Sequence, residues 1–138
     1  MLVRRGYEVC VECFDPSTGV WVNINPMNEA RQSLRVVVLG DKLFAMGGLD
    51  EYGYLSSVEC LVLSVPNSAW TPVASMTMPR WRFGAVVAGG TIYAIGGVSP
   101  KTGTSIECFD SFHGPAGGLW AVWGEASAFV PTAKFEVC

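Results

Sequence analysis

Short apolar runs alternate with polar segments rich in glycine and proline along most of the chain. The runs RVVVL (35–39), AVVA (85–88) and IYAI (92–95) are apolar at consecutive positions, which predicts strands buried on both faces. The segments VECL (58–61) and WTPV (70–73) alternate apolar with polar residues, as outer strands do. The pattern therefore predicts an all-β chain of short strands joined by tight turns.

Nearly the same text recurs three times, as VECFDP from residue 11, VECLVL from residue 58 and IECFDS from residue 106. The landmarks that keep this spacing are Trp21, Trp70 and Trp120, Gly47-Gly48 and Gly96-Gly97, Met27 and Met76, Arg31 and Arg80, and Leu43-Phe44 and Ile92-Tyr93. A period of about 49 residues with four strands in each unit indicates a repeat protein built from propeller blades.

The order of motifs within each unit resembles the kelch repeat. One copy reads MTMPRWRFGAVV, TIYAIGG, SIECFD and LWAVW, and the other reads MNEARQSLRVVV, KLFAMGG, SVECLVL and AWTPV. Paired glycines suit a place where strands converge, and the Trp suits a plug between neighbouring blades. The resemblance implies an incomplete kelch-type β-propeller of four-stranded antiparallel blades.

The repeat divides the chain into four parts. Residues 1–30 hold the second half of a blade with a non-repeat start, 31–75 and 76–123 are full blades, and 124–138 form a non-repeat tail. Closed propellers have about 4–8 blades. We therefore expect either a fragment or isoform of a longer kelch protein, or a chain that completes its ring with other kelch blades or chains.

Composition excludes several classes of function. Half of the residues are hydrophobic and 15% are charged, with a formal net charge of −3. No basic surface is expected to attract nucleic acid, and no apolar run approaches the ~18 residues of a membrane span. Without a targeting segment, the expected location is the cytoplasm.

Candidate chemistry is sparse. Cys10 and Cys13 form a CxxC without a second ligand pair, and Cys13, Cys60 and Cys108 fall on the repeated motif, which favours packing over metal or redox chemistry. His113 is the single histidine. The alternative function, a kelch-type sugar oxidase or isomerase, lacks a catalytic or metal constellation, so we expect no enzyme activity, no cofactor and no metal.

The resemblance implies a protein-interaction module, of the kind that serves as the substrate-recognition part of cullin-RING ubiquitin ligases. It places partner contacts on the loops that enter the innermost strands, 28–34 and 77–83, and on those after Gly-Gly, 49–57 and 98–104. The candidate residues are Arg31, Gln32, Ser33, Arg80, Trp81, Arg82, Asp50, Tyr52 and Tyr54. Arginine and tryptophan favour an acidic-hydrophobic peptide segment as ligand.

Each candidate has a structural alternative. Arg31 and Arg80 occupy one repeated position and would brace the loop against backbone carbonyls, whereas Trp81 and Arg82 have no counterpart in the other copy. The acidic loop with Asp50, Tyr52 and Tyr54 would be an ordinary solvated loop. The repeated glutamates Glu12, Glu59 and Glu107 are expected to face solvent or a neighbouring blade.

Overall fold

The structure, a computed structural model, describes residues 9–98, 105–110 and 119–122. The start of the chain, most of the predicted loop 98–104, His113 and the predicted tail 124–138 lie outside the described residues. The predicted boundaries between the repeat units stay a prediction.

The described residues form ten strands. In chain order these are β1 (Val11–Asp15), β2 (Val20–Ile24), β3 (Arg35–Leu39), β4 (Lys42–Met46), β5 (Val58–Val62), β6 (Thr71–Val73), β7 (Gly84–Ala88), β8 (Thr91–Ile95), β9 (Ile106–Asp110) and β10 (Leu119–Val122). They form a two-stranded sheet, β1-β2, and two four-stranded sheets with the orders β3-β4-β5-β6 and β7-β8-β9-β10. Every pairing within a sheet is antiparallel. The predicted all-β fold with four-stranded antiparallel blades is confirmed; we call the two larger sheets the first and second blade.

The two blades have the same register. In the first blade Phe44 lies between Val37 and Cys60, and in the second Tyr93 lies between Val86 and Cys108. Gly40 and Gly89 occupy equivalent hairpin turns of the two blades, and both have φ +58°. This left-handed conformation is one that glycine adopts at little cost, which explains its recurrence there.

The main core lies between the two blades. Phe44 and Phe109 meet edge to face across it, with ring centroids 5.7 Å apart. The buried members of this cluster are Phe44, Met46, Val58, Cys60, Met76, Phe83, Ile92, Ala94 and Phe109. Because alternate residues of a strand point to opposite faces, each sheet gives one apolar face to this interface.

A smaller core joins the first blade to the two-stranded sheet. Trp70 is buried there with Met27, Ala45 and Leu61, and its indole nitrogen donates to the Asn25 carbonyl at 2.8 Å. Trp70 thus acts as the plug that the repeat predicts. Its counterpart Trp21 is 63% exposed and packs on Phe14, with ring centroids 5.1 Å apart.

The expectation that the innermost strands are buried on both faces is wrong for part of each strand. Val36 and Val38 on β3 are about half exposed, as is Val86 on β7. These strands are sheet edges, and the side chains that point away from the main core are not covered. The two-stranded sheet packs against β4, β5 and the Trp70 segment, so Val36 and Val38 lie outside its cluster.

Candidate partner-binding site

A buried arginine enters each blade and binds that blade's glutamate. In the second blade Arg80 donates from Nε and Nη2 to Oε1 of Glu107, at 3.0 Å and 2.9 Å, and both side chains are fully buried. In the first blade Arg31 makes the corresponding bonds to Oε1 of Glu59, at 3.3 Å and 3.1 Å. The two pairs are equivalent, so this ion pair belongs to the repeat.

The remaining nitrogen of each arginine binds backbone. Nη1 of Arg80 donates to the carbonyls of Gly96 and Ser105, at 2.6 Å and 3.0 Å. Nη1 of Arg31 donates to the carbonyls of Gly47 and Ser57, at 3.0 Å and 2.9 Å. The bracing role weighed for these arginines therefore fits the structure. Both guanidinium groups are buried and engaged, which favours a supporting role for Arg31 and Arg80 over direct contact with a partner.

The glutamates also hold the segment that connects successive sheets. Glu107 accepts from the backbone nitrogen of Thr77 at 2.6 Å and from its hydroxyl at 2.8 Å. Glu59 accepts from the backbone and side-chain nitrogens of Asn28, each at 2.8 Å. Of the two expected positions, solvent or a neighbouring blade, Glu12 takes the first, since it is exposed. Glu59 and Glu107 do not face solvent, because each is buried and neutralises a buried arginine.

Backbone hydrogen bonds fix the loop 49–57 of the first blade against the segment that enters the second blade. Arg80 donates its backbone nitrogen to the Leu55 carbonyl at 3.0 Å, and its own carbonyl accepts from Gly48 at 2.8 Å. A Cβ at Gly47 would lie 2.6 Å from that same carbonyl oxygen. The paired glycines therefore permit a close backbone contact between two blades.

Tyr54, Trp81 and Arg82 meet where these two loops touch, and we call this group the junction site. The rings of Tyr54 and Trp81 are 6.0 Å apart at an interplanar angle of 35°, and the Arg82 guanidinium carbon lies 4.2 Å from the centre of the Trp81 ring. Tyr54 and Arg82 are exposed, and Trp81 is half-buried. The structure thus brings together three of the predicted partner-binding residues, from two adjacent blades.

The loop entering the first blade carries the equivalent positions. Gln32 pairs with Leu49 through two backbone hydrogen bonds. Trp81 forms the equivalent bridge in the second blade, where its carbonyl accepts from the Val98 nitrogen at 2.8 Å. Ser33 and Arg82 both have φ near +52°. This conformation is unfavourable for residues with a Cβ and persists only where the surrounding structure fixes it. Ser33 is exposed, so it and Gln32 remain candidates for partner contact.

The acidic part of loop 49–57 is ordered by its own side chains. Asp50 accepts from the backbone nitrogens of Tyr52 and Gly53, both at 2.8 Å, so its carboxylate shapes the turn. Tyr52 is 89% exposed. A hydrogen bond to Glu51, together with the negative charge of that carboxylate, raises the pKa of Tyr52 above its ordinary value. The phenol therefore stays neutral, and the loop offers an aromatic ring beside a negative charge.

One buried polar atom at the junction site has no partner. Among the described residues, the indole nitrogen of Trp81 is the one buried side-chain polar atom that lacks a hydrogen bond. A buried donor without an acceptor costs about 1–3 kcal/mol. Sequence reasoning selected Trp81 because the repeat does not account for it, but the sequence carries no sign of the missing acceptor.

Other chemistry is scarce in the part of the chain that the structure describes. No cluster of three or more histidine, cysteine or acidic side chains that could hold a metal ion lies within it. Its four cysteines form no disulfide. No helix able to cross a membrane is found among these residues. A cleft of about 260 Å³ lies beside Cys13 and Leu61, where Asn25 already donates to the carbonyls of Asn67 and Ser68.

Comparison with known proteins agrees with this architecture. The chain is 34% identical over 106 residues to Kelch-like protein 26 of Danio rerio, which covers 75% of this chain and 17% of the relative. It is 36% identical over 89 residues to Kelch-like ECH-associated protein 1B of Danio rerio, covering 63% of this chain and 15% of the relative. The chain therefore spans less than a fifth of the length of these curated relatives.

A solved structure shares the fold. The structure of YjhT superposes with a TM-score of 0.57 at 24% identity, covering 64% of this chain and 27% of that chain. The family model of the Kelch motif matches residues 30–77 and 79–111, which hold the paired glycines and the buried arginine–glutamate pairs described above. Repeat, sheet order and sequence similarity agree, and the chain belongs to the kelch-repeat family.

Proposed function

We propose that the chain is a protein–protein interaction module that binds a segment of another protein at the junction site. The contact between Tyr54 and Trp81 carries this proposal, because it brings aromatic rings from the loops of two adjacent blades together at one place. Loops held on a rigid scaffold are where binding residues concentrate, and backbone hydrogen bonds hold both loops here.

The chemistry of the junction site favours an acidic-hydrophobic peptide segment. Arg82 supplies an exposed guanidinium, which binds carboxylates through charge-assisted hydrogen bonds. Trp81 and Tyr54 supply the aromatic surface on which an apolar side chain packs, and Trp, Tyr and Arg dominate the energetics of interfaces. Gln32 and Ser33, together with Asp50 and Tyr52 of the acidic loop, would extend the contact surface.

The similarity to kelch-like proteins supports a role as a substrate-recognition module of a cullin-RING ubiquitin ligase, working in the cytoplasm. The half-exposed Val36 and Val38 favour burial against further kelch blades, from the same protein or another chain. The negative net charge disfavours nucleic acid as a partner. We infer a binding role without catalysis or a cofactor.

Affinity capture from cell lysate with a double substitution tests the proposal. Trp81→Ala with Arg82→Ala should abolish capture of partner proteins, since truncating interface anchors costs about 2–4 kcal/mol, and should leave the far-UV circular dichroism spectrum unchanged. The matched control is Trp21→Ala with Lys42→Ala, which removes an exposed tryptophan and an exposed cation away from the loops. Loss of capture in the control but not in the double variant would refute the proposed site.

The choice of control follows from the structure. Glu107 is unsuitable as a control, because it is buried against Arg80 and its removal would disturb the fold. Glu51→Gln serves instead to test the acidic loop, because it removes a charge at an exposed position. Partner capture that depends on Glu51 and not on Trp81 or Arg82 would move the site to that loop and imply a basic ligand.

A further inference from the structure

Arg82 covers the aromatic surface that the proposed function needs. Its guanidinium carbon lies 4.2 Å from the centre of the Trp81 ring, at van der Waals distance from the ring face. Arg31 and Arg80 differ from Arg82, because their guanidinium groups are buried and paired with glutamates. Among the described residues, Arg31 and Arg80 are the only cations that form ion pairs with carboxylates. The charge of Arg82 is therefore available for an anionic ligand.

The Trp81 ring is enclosed on more than one side. Tyr54 lies 6.0 Å from it, and its indole nitrogen is buried without an acceptor in the described structure. The indole N–H is therefore a buried donor that the described structure leaves unused. The left-handed backbone conformation of Arg82, at φ +51°, recurs at the equivalent Ser33 and therefore belongs to the repeat.

We propose that Arg82 is a latch on Trp81, which a ligand opens only if it brings a carboxylate together with an apolar side chain. The carboxylate draws the guanidinium off the indole ring, and the apolar side chain then packs on the uncovered ring. This inference rests on the proposed function and adds to it the means by which the junction site rejects neutral apolar segments.

The selectivity for acidic over neutral ligands depends on the interaction that replaces the stacking of Arg82 on Trp81. A neutral apolar ligand displaces the guanidinium from the ring and offers it nothing in return. An acidic ligand exchanges the cation–π contact for a charge-assisted hydrogen bond, which is the stronger interaction. Arg82 therefore weakens the binding of one class of ligand and strengthens the binding of the other.

Peptide binding to the full chain tests the latch. The probes are short synthetic peptides with a central leucine or phenylalanine, each made in two forms, with glutamates or with glutamines at the flanking positions. Dissociation constants are measured for the wild type and for Arg82→Ala. We expect Arg82→Ala to bind the glutamine forms about threefold more tightly and the glutamate forms about tenfold more weakly. The double substitution Trp21→Ala with Lys42→Ala should change neither class.

The opposite signs of these two effects make the result decisive. An Arg82→Ala variant that loses affinity for both forms equally, or for neither, overturns the latch while leaving a binding site at Trp81. If the wild type binds no glutamate form, the proposed ligand class and the proposed latch are both wrong. In that case partner capture that is insensitive to Trp81→Ala with Arg82→Ala would show that the proposed function has failed as well.

Discussion

Arg80 and Glu107 form an ion pair from which water is excluded, with Oε1 of Glu107 at 3.0 Å from Nε and 2.9 Å from Nη2 of Arg80. The same glutamate holds the backbone of Thr77, three residues before Arg80 in the chain. One carboxylate therefore fixes the segment that enters the second blade. Since Trp81 and Arg82 follow directly, this buried pair sets the position of the junction site.

Replacing Arg80 should destabilise the protein far more than replacing Arg82. Arg80→Met leaves the Glu107 carboxylate buried without its partner, which costs about 3–5 kcal/mol. Arg82→Met removes an exposed cation stacked on Trp81, which costs about 0.5–1 kcal/mol. Urea denaturation followed by circular dichroism measures both, and equal losses for the two variants would contradict the structural role of the pair.

Alanine substitutions at Gly47 and Gly40 distinguish the effect of a steric contact from the effect of backbone strain. Both have left-handed backbones, at φ +56° and +58°, so alanine at either position meets a conformational penalty of about 1–2 kcal/mol. Only at Gly47 would the new Cβ approach a backbone oxygen, that of Arg80 at 2.6 Å, whereas the space around Gly40 is open. We expect Gly47→Ala to lower the thermal midpoint clearly more than Gly40→Ala. A Gly47→Ala midpoint equal to or above that of Gly40→Ala would argue against the close approach of the two blades.

The left-handed conformation of Arg82 predicts a difference between two truncations. Arg82→Ala and Arg82→Gly both remove the stacking on Trp81, but only glycine adopts φ +51° without a Cβ penalty. The glycine variant should therefore be more stable than the alanine variant by about 1 kcal/mol. A more stable alanine variant, measured by chemical denaturation, would show that the backbone is not held in this conformation.

Cysteine reactivity should follow burial. Burial raises the pKa of the Cys60 thiol above its ordinary value, partly offset by the charge of Lys42, whereas Cys13 is exposed. Iodoacetamide near pH 8 should therefore modify Cys13 well before Cys60, as peptide mass spectrometry of timed samples can show. Faster labelling of Cys60 in the folded protein would contradict its place in the main core.

The same shift gives an alkaline stability effect. Because the Cys60 pKa is raised in the folded state, the unfolded chain ionises first, so this contribution to stability is present below the ordinary thiol pKa and lost as the pH rises through the folded-state pKa. Cys60→Ala should reduce the dependence of the unfolding free energy on pH in that range. An unchanged dependence would show that the thiol is not protected by burial.

The strands could be predicted well from the sequence because each strand motif occurs in more than one copy of the repeat. The apolar run 35–39 coincides with β3, and TIYAI coincides with β8. The exposure of Val36 and Val38 was not predictable, because an apolar run shows that a strand can be buried on both faces but not that a neighbouring sheet reaches it. The repeat shows which positions of the two blades are equivalent, but it does not show in which direction their side chains point.

The supporting network could have been predicted in part. Arg31 and Glu59 recur together as Arg80 and Glu107, and two opposite charges that repeat in an apolar unit favour a buried pair. The junction site was only half accessible to sequence reasoning. Trp81 and Arg82 stand out against the other copy, but their contact with Tyr54 depends on how two blades dock, which no local pattern contains.

Site-specific photo-crosslinking tests the central claim of partner binding at the junction site. A photoreactive phenylalanine derivative replaces Tyr54, which leaves Trp81 and Arg82 intact, or replaces the exposed Trp21 as a control. Irradiation with partner proteins should give crosslinked products from position 54 and not from position 21, and the products should disappear when Trp81→Ala and Arg82→Ala are added. Equal crosslinking from both positions, or products at position 54 that survive the added substitutions, would contradict the account.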